Sequence, residues 1–422
     1  MPTATKNAVP SDPDGERNQP ARIVGIDIAR SIAILLAMAS HVWVVSRMGS
    51  FAEGPWVNTF RIIMAAATPT FIILFGTMLE IVYLPRFIVG QRKTIAVRLI
   101  SRATQCWILY SLSVLFLFVM RDDYSAMYSI ATVLMLGVTP FTDILKFYAV
   151  VLALAPLILW LRNKVGLFAL AAGAIAIHLS YPLLIVLPTP SEFGLPKELV
   201  RLWKFLFGLG DAQLGGPSVM RGITLAIAGM VLGRILIVGI GGKPDIARLR
   251  HRTKLLFAAA MVSLAILVAV IDQNTIKALG TMSLRMAGHP LYFLFGLQVA
   301  VALTAAATLL TTSIKKDRFW RNTAFFGRTS LFTFAFGNML LYCITIKPSN
   351  SSAALQLAIM TVIAIILMSV WFDLTIRRKG WIAHRVTEMQ RMITELVDFV
   401  VSHLAVQFSW LAVRSARGDR RA

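Results

Sequence analysis

Ten apolar stretches of about 17–25 residues recur along the chain, near 23–45, 58–83, 96–120, 143–161, 166–187, 219–240, 255–272, 290–312, 325–346 and 352–376. Each is long enough to cross a hydrocarbon core of about 30 Å as a helix rising 1.5 Å per residue. A spanning segment must satisfy its backbone internally, which leaves helices or a closed barrel, and stretches of this length select helices. The expected fold is an all-α integral membrane protein, a bundle of about ten transmembrane helices. A chain of 422 residues that is 57% hydrophobic and 15% charged, with mean hydropathy +0.72, excludes a soluble globular domain.

The net charge of +22 would point to nucleic acid in a soluble chain. Here the basic residues sit in short connectors, so their role is topological and no nucleic-acid partner is expected. With the N-terminus inside, the cytoplasmic connectors hold Arg86, Arg92, Lys93, Arg162, Lys164, Lys243, Arg248, Arg250, Arg252, Lys254, Lys315, Lys316, Arg318, Arg321, Arg377, Arg378, Lys379 and Arg385. The opposite connectors hold fewer, among them Arg47, Arg121, Arg285 and Lys347, together with most loop acids, such as Glu53, Glu192 and Asp211. An even number of spans then puts both termini in the cytoplasm. The first span lacks a small-residue cleavage pattern after it and is expected to be retained.

Three regions follow. Residues 1–21, rich in Pro, Asp, Asn and Gly, are expected to be a disordered cytoplasmic tail. Residues 22–376 form the transmembrane domain. Residues 377–422 are basic and amphipathic: Ile382, Val386, Met389, Ile393, Leu396, Val400, Leu404 and Leu411 recur in steps near three and four, opposite Arg385, Glu388, Arg391, Glu395 and Asp398. This C-terminal amphipathic helix is expected to lie along the inner membrane surface among lipid headgroups, with homodimerisation as its alternative role. Tyr124–Val138 is apolar but too short to span and reads as re-entrant or interfacial. The loop Pro188–Pro217 is long enough to cover a site.

The first span, RIVGIDIARSIAILLAMASHVWVV over Arg22–Val45, carries Asp27, Arg30 and His41 inside it. Ionisable groups at membrane depth mark a functional site by default. Eleven residues separate Arg30 from His41, which returns to nearly the same face about 16 Å further along the axis. Asp27 lies on that face one turn below Arg30. The plain alternative is an i,i+3 ion pair that only fixes the helix, with His41 hydrogen-bonded at the boundary. His41, His178 and His289 fall on the outer side, in spans one, five and eight, where imidazoles transfer protons. No spacing among them resembles a metal-ligand motif, and no metal is expected. The two cysteines, Cys106 and Cys343, lie within spans and suggest neither a disulfide nor a metal site. On the inner side Arg98 and Arg102 share a face at the start of span three, and with Arg92 and Lys93 they form a basic mouth suited to phosphates. Positive-inside anchoring explains the same residues without a ligand.

These residues carry a resemblance. Arg30-x10-His41 in a first span beginning Gly25-Ile26-Asp27, the Arg98-x3-Arg102 pair, Asp143-Ile144-Leu145-Lys146-Phe147-Tyr148 opening span four, Thr68-Pro69-Thr70-Phe71-Ile72-Ile73-Leu74-Phe75-Gly76 in span two and Gly327-Arg328-Thr329-Ser330-Leu331 before span nine resemble the membrane acyltransferase-three family. Short length and ten spans are most similar to its osmoregulated periplasmic glucan succinyltransferase (OpgC-type) branch. The sequence departs from the pattern at Pro69, where a polar or acidic residue is common, and at Phe336-Gly337-Asn338, where many members have histidine. The resemblance implies a bacterial inner-membrane enzyme moving an acyl group from cytoplasmic acyl-CoA (acetyl-CoA or succinyl-CoA) to a hydroxyl of an envelope or periplasmic glycan. In it His41 would be the general base, assisted by Asp27 and Arg30. Arg30, Arg98 and Arg102 would hold the donor; the residues themselves add Arg92 and Lys93 to that mouth and offer His178 and His289 to the acceptor, with satisfied structural histidines as the alternative for these two. A rival for the same charges is a proton-coupled transporter or flippase of an anionic or lipid-linked solute, although no inverted repeat accompanies them.

Overall fold

A computed structural model describes residues 23–52, 54–210, 214–237, 245–314 and 317–418, with side chains described to residue 403 apart from 317, 318 and 321. The expected tail 1–21 and the connector residues Glu53, Asp211, Lys243, Lys315 and Lys316 lie outside the described residues, as do the side chains of Arg318, Arg321, Leu404 and Leu411. Among the described residues every regular element is helical. Eight helices are long and apolar enough to cross a membrane: α1 (Val24–Val45), α2 (Pro55–Ile88), α3 (Arg92–Met120), α4 (Asp143–Leu179), α6 (Val219–Leu236), α7 (Ile246–Val270), α8 (Pro290–Ser313) and α10 (Ser351–Arg377). Between them lie α5 (Lys197–Phe207) and α9 (Ser330–Tyr342), and α11 (Trp381–Gly418) closes the chain.

The ten expected spans map onto these eight helices and α9, because α4 carries two of them. Straight, its 37 residues would extend about 55 Å, far beyond the hydrocarbon core. It breaks at Gly166, whose φ of 85° and ψ of 165° suit a residue without Cβ. The chain folds back there: Gly215 and Gly216, just before α6, lie against Asp143 at one end of α4, and His178 at the other end bonds Thr224 of α6. The ninth element is shorter than the expected 325–346, with a separate turn at Phe325–Arg328 and no helix after Tyr342.

Packing centres on α1 and α6. Gly222, Ala226, Gly229 and Gly233 make a stripe of small residues on α6, and α2 approaches until backbones touch. A Cβ at Gly229 would stand 2.0 Å from the Ile73 carbonyl oxygen, and one at Gly76 would stand 1.8 Å from that of Ala226. Thr77 Oγ1 donates across the same contact to Gly229 O at 3.0 Å. Helix α1 lies between α8, α2 and α9, with Gly25 against Thr308 of α8.

The basic connectors collect at one end of the bundle, the Arg30 end. There Arg162 donates to both carboxylate oxygens of buried Glu80, at 2.8 and 3.1 Å, and Arg328 and Arg377 share Asp373 at 3.1 and 2.9 Å. Arg252 donates to the last carbonyls of α6, Ile235 and Ile237, at 3.2 and 3.3 Å. Helix α11 docks on α3 through Ile393, Val397 and Val97 and through a 3.0 Å ion pair between Lys93 and Asp398, while Met389, Met392, Leu396 and Phe399 stay exposed. At the other end, the His41 end, the segment expected to be re-entrant forms a short helix, Ala126–Val133, folded back onto α3 by a bond from Trp107 Nε1 to Val133 O at 3.1 Å.

Candidate active site

One cavity of about 560 Å³ joins the two ends. Along α1 its wall runs from Arg30 to Val44, roughly 21 Å at the helical rise. Opposite stand Met64 to Tyr83 of α2, Arg102 and Cys106 of α3, the start of α4, Gly215–Pro217, Met282 and Arg285, and the start of α9. Arg30 and Arg102 bring two guanidinium groups to one end, and His41 and Arg285 occupy the other.

His41 is fixed by its neighbours. Asn338, buried on α9, donates from Nδ2 to Phe334 O at 2.6 Å, so its Oδ1 faces the imidazole as an acceptor, 2.7 Å from Nδ1. With that acceptor the ring donates from Nδ1, and in its neutral form Nε2 carries the lone pair. Phe141 and Phe334 flank the ring with centroids 4.9 and 5.6 Å away. This is the geometry of a neutral base: oriented through one nitrogen, with the other available.

Arg30 pairs with Asp27 at 3.9 Å, and Asp27 itself is not in the cavity wall. Tyr148 lies between them and His41 along the wall, its ring edge-on to Phe71 and Phe75 at 6.0 and 5.8 Å, and its buried hydroxyl has no hydrogen-bond partner among the described residues. The neighbouring Asp143 and Lys146 are both buried and belong to the scaffold. Asp143 Oδ1 accepts from the backbone and hydroxyl of Thr139 at 2.9 and 2.8 Å, and Lys146 donates to Gly137 O at 2.8 Å with Asp143 Oδ2 3.7 Å away. They fix the chain that leads into α4 beside Gly215. Arg285 comes from the connector between α7 and α8, and its buried Nε has no hydrogen-bond partner among the described residues.

The remaining expected site residues are placed elsewhere. Arg98 is exposed one turn before Arg102, outside the cavity wall; Arg92 lies over the Phe87 ring at 5.6 Å, and Lys93 holds Asp398 of α11. His178 and His289 form a second cluster at the His41 end. His178 bonds Thr224 Oγ1 at 2.8 Å and Arg221 Nη1 at 3.2 Å, and His289 caps α8 by accepting from Leu291 N at 3.2 Å. Tyr181 links the two, its ring 5.2 Å from His289 and 5.4 Å from the Arg221 guanidinium carbon. Burial, helped by the Arg221 charge, pushes the His289 imidazole below its usual range. Among the described residues no three His, Cys, Asp or Glu side chains gather as metal ligands.

Sequence reasoning passed over Arg221, named Asn338 only as a departure from the family pattern and Arg285 only as a connector charge. Asn338 and Arg221 each interrupt an apolar span, which is a signal in itself, whereas Arg285 reads as an ordinary connector charge. No protein-family model matches the chain, and a search of curated proteins finds no match.

Proposed function

We propose that the protein is a membrane O-acyltransferase that moves an acyl group from acyl-CoA to a hydroxyl of an envelope glycan across the thickness of the bundle. The observation that carries this reading is the single cavity whose one end is lined by Arg30 and Arg102 and whose other end holds an imidazole oriented by Asn338. A charged nucleotide belongs at the basic end, where guanidinium groups meet phosphates in a bidentate fashion. Arg98, exposed a turn away, extends the same surface. The uncharged thioester arm can follow the apolar wall past Phe71, Phe75 and Leu152.

The chemistry then falls to His41. Its Nε2 takes the proton of the acceptor hydroxyl as that oxygen attacks the thioester carbonyl. The C–O bond forms, the C–S bond breaks, and the proton passes from the imidazolium to the departing thiolate. The Nδ1–H bond to Asn338 persists throughout and keeps the ring aimed. Arg285, at the same end, offers positive charge to the carbonyl oxygen as it becomes anionic. In a bacterial inner membrane, with the basic connectors inside, the donor approaches from the cytoplasm and the glycan from the outer face.

The test is acyl transfer by purified protein in liposomes, with acyl-CoA on the basic side and glycan on the other. His41→Ala should lower turnover by about a hundred- to ten-thousandfold while acyl-CoA still binds, and His41→Gln should not rescue it, because an amide cannot accept the proton. Retained turnover in His41→Ala removes the imidazole from the mechanism. A transporter would instead lose proton coupling and leave glycan acylation unchanged.

A further inference from the structure

Arg221 is fully buried at the start of α6, and the reaction above does not use it. Its Nη1 reaches Ile177 O and His178 Nδ1, both at 3.2 Å, but Nε and Nη2 have no hydrogen-bond partner among the described residues. Several other buried or half-buried cations face an acid, as Arg162 does with Glu80, Lys146 with Asp143, Arg328 with Asp373 and Arg30 with Asp27. Among the described residues Arg221 has no such acid. A desolvated guanidinium without a counter-ion carries a large penalty, which a bound anion removes.

The groups that touch Arg221 close one end of a second cavity, of about 550 Å³, between the later half of α4, α6 and α8. Its polar tip is the pair His178 and Thr224. Below the tip the wall is hydrocarbon and aromatic, including Ile175, Leu225, Val231, Phe293, Leu297 and Val301. It extends along α6 from Thr224 to Ile235, roughly 16 Å. A slot with such walls offers water and sugars no hydrogen bonds, and hydrocarbon fills it without loss. Its outer wall is thin. After Gly166 only Ala174 of α4 is buried, and a Cβ built at Gly166 would meet nothing within 4 Å.

We infer that this slot binds one membrane phospholipid with an anionic headgroup, its acyl chain between α4, α6 and α8 and its phosphate at the Arg221 end. A cation directly behind the His178 and Thr224 tip of a chain-shaped apolar slot within the membrane matches that class of molecule in both charge and form. The later half of α4, mostly exposed, is the wall that separates the slot from the bilayer.

The experiment is native mass spectrometry of the full chain in detergent, offered phosphatidylglycerol or phosphatidylcholine with identical chains. The wild type should retain a single phosphatidylglycerol at least about fivefold in preference, the share expected of one basic residue at an anionic lipid. Arg221→Gln should lose the preference and keep chain-dependent binding. Ala228→Trp and Leu294→Trp fill the slot from α6 and from α8, and each should lose both lipids with Arg221 intact; two fillers from different walls guard against one that does not fold. Equal retention of the two lipids by the wild type, or a preference that survives Arg221→Gln, overturns the proposal. Displacement of phosphatidylglycerol by an equal concentration of inorganic phosphate also overturns it, by making this a site for soluble anions.

Discussion

The orientation of His41 rests on one amide. If Asn338 acts only by holding Nδ1–H, Asn338→Leu should lower kcat by up to about a hundredfold with little change in KM, because a misaimed base costs rate and not binding. Asn338→Asp should keep most of the rate, since a carboxylate still accepts from Nδ1. Steady-state kinetics in liposomes separates the two. At the far end of the cavity, Arg102→Gln should weaken acyl-CoA binding by about 1.5–3 kcal/mol, the worth of a charge-assisted hydrogen bond, and lysine should restore only part of it. Arg98→Gln should cost less, because Arg98 lies outside the wall. Calorimetric titration with acyl-CoA checks both, and an unchanged affinity in the double variant would return the pair to a topological role. His41, Arg30 and Arg102 were legible as site candidates because an ionisable group in an apolar run is conspicuous. Asn338 is 297 residues from His41, and no local spacing encodes that the two meet. The same limit hid the sorting of the basic mouth, in which Arg102 faces the cavity while Lys93 is taken by Asp398 of a helix at the other end of the chain.

Among the elements, α6 tolerates least. Its glycines permit the approach of α2, so Gly229→Leu should destabilise the bundle by about 1–3 kcal/mol or prevent assembly, and even Gly229→Ala should lower the midpoint of thermal unfolding in detergent. A Gly173→Ala control, where nothing lies within 4 Å, should leave the midpoint unchanged. Hydropathy locates helices well because lipid demands one fixed length of apolar residues, and it separated both halves of α4. It overextended the ninth element, where apolar composition continues past Tyr342 but helical pairing does not. Which face of a span meets which neighbour was not legible, since nearly every face of a buried membrane helix is apolar.

For the whole molecule, the gathering of basic connectors at the Arg30 end predicts its orientation. In a background lacking Cys106 and Cys343, cysteines at the exposed positions Ser191 and Ser349 should label in intact cells, and one at exposed Arg248 only after permeabilisation. Labelling of residue 248 from outside would reverse every role assigned by side. The break in α4 bears on how this arrangement is reached. Its two apolar halves are joined through a single non-helical residue, with Arg162 and Lys164 just before it. Such a join leaves no connector long enough to be retained or translocated by itself, so during synthesis the two halves must enter the membrane together, as one hairpin with its tip held at the basic end. Neither half then carries independent orienting information, and a nascent chain cut between them would expose an apolar helix with no partner to insert beside.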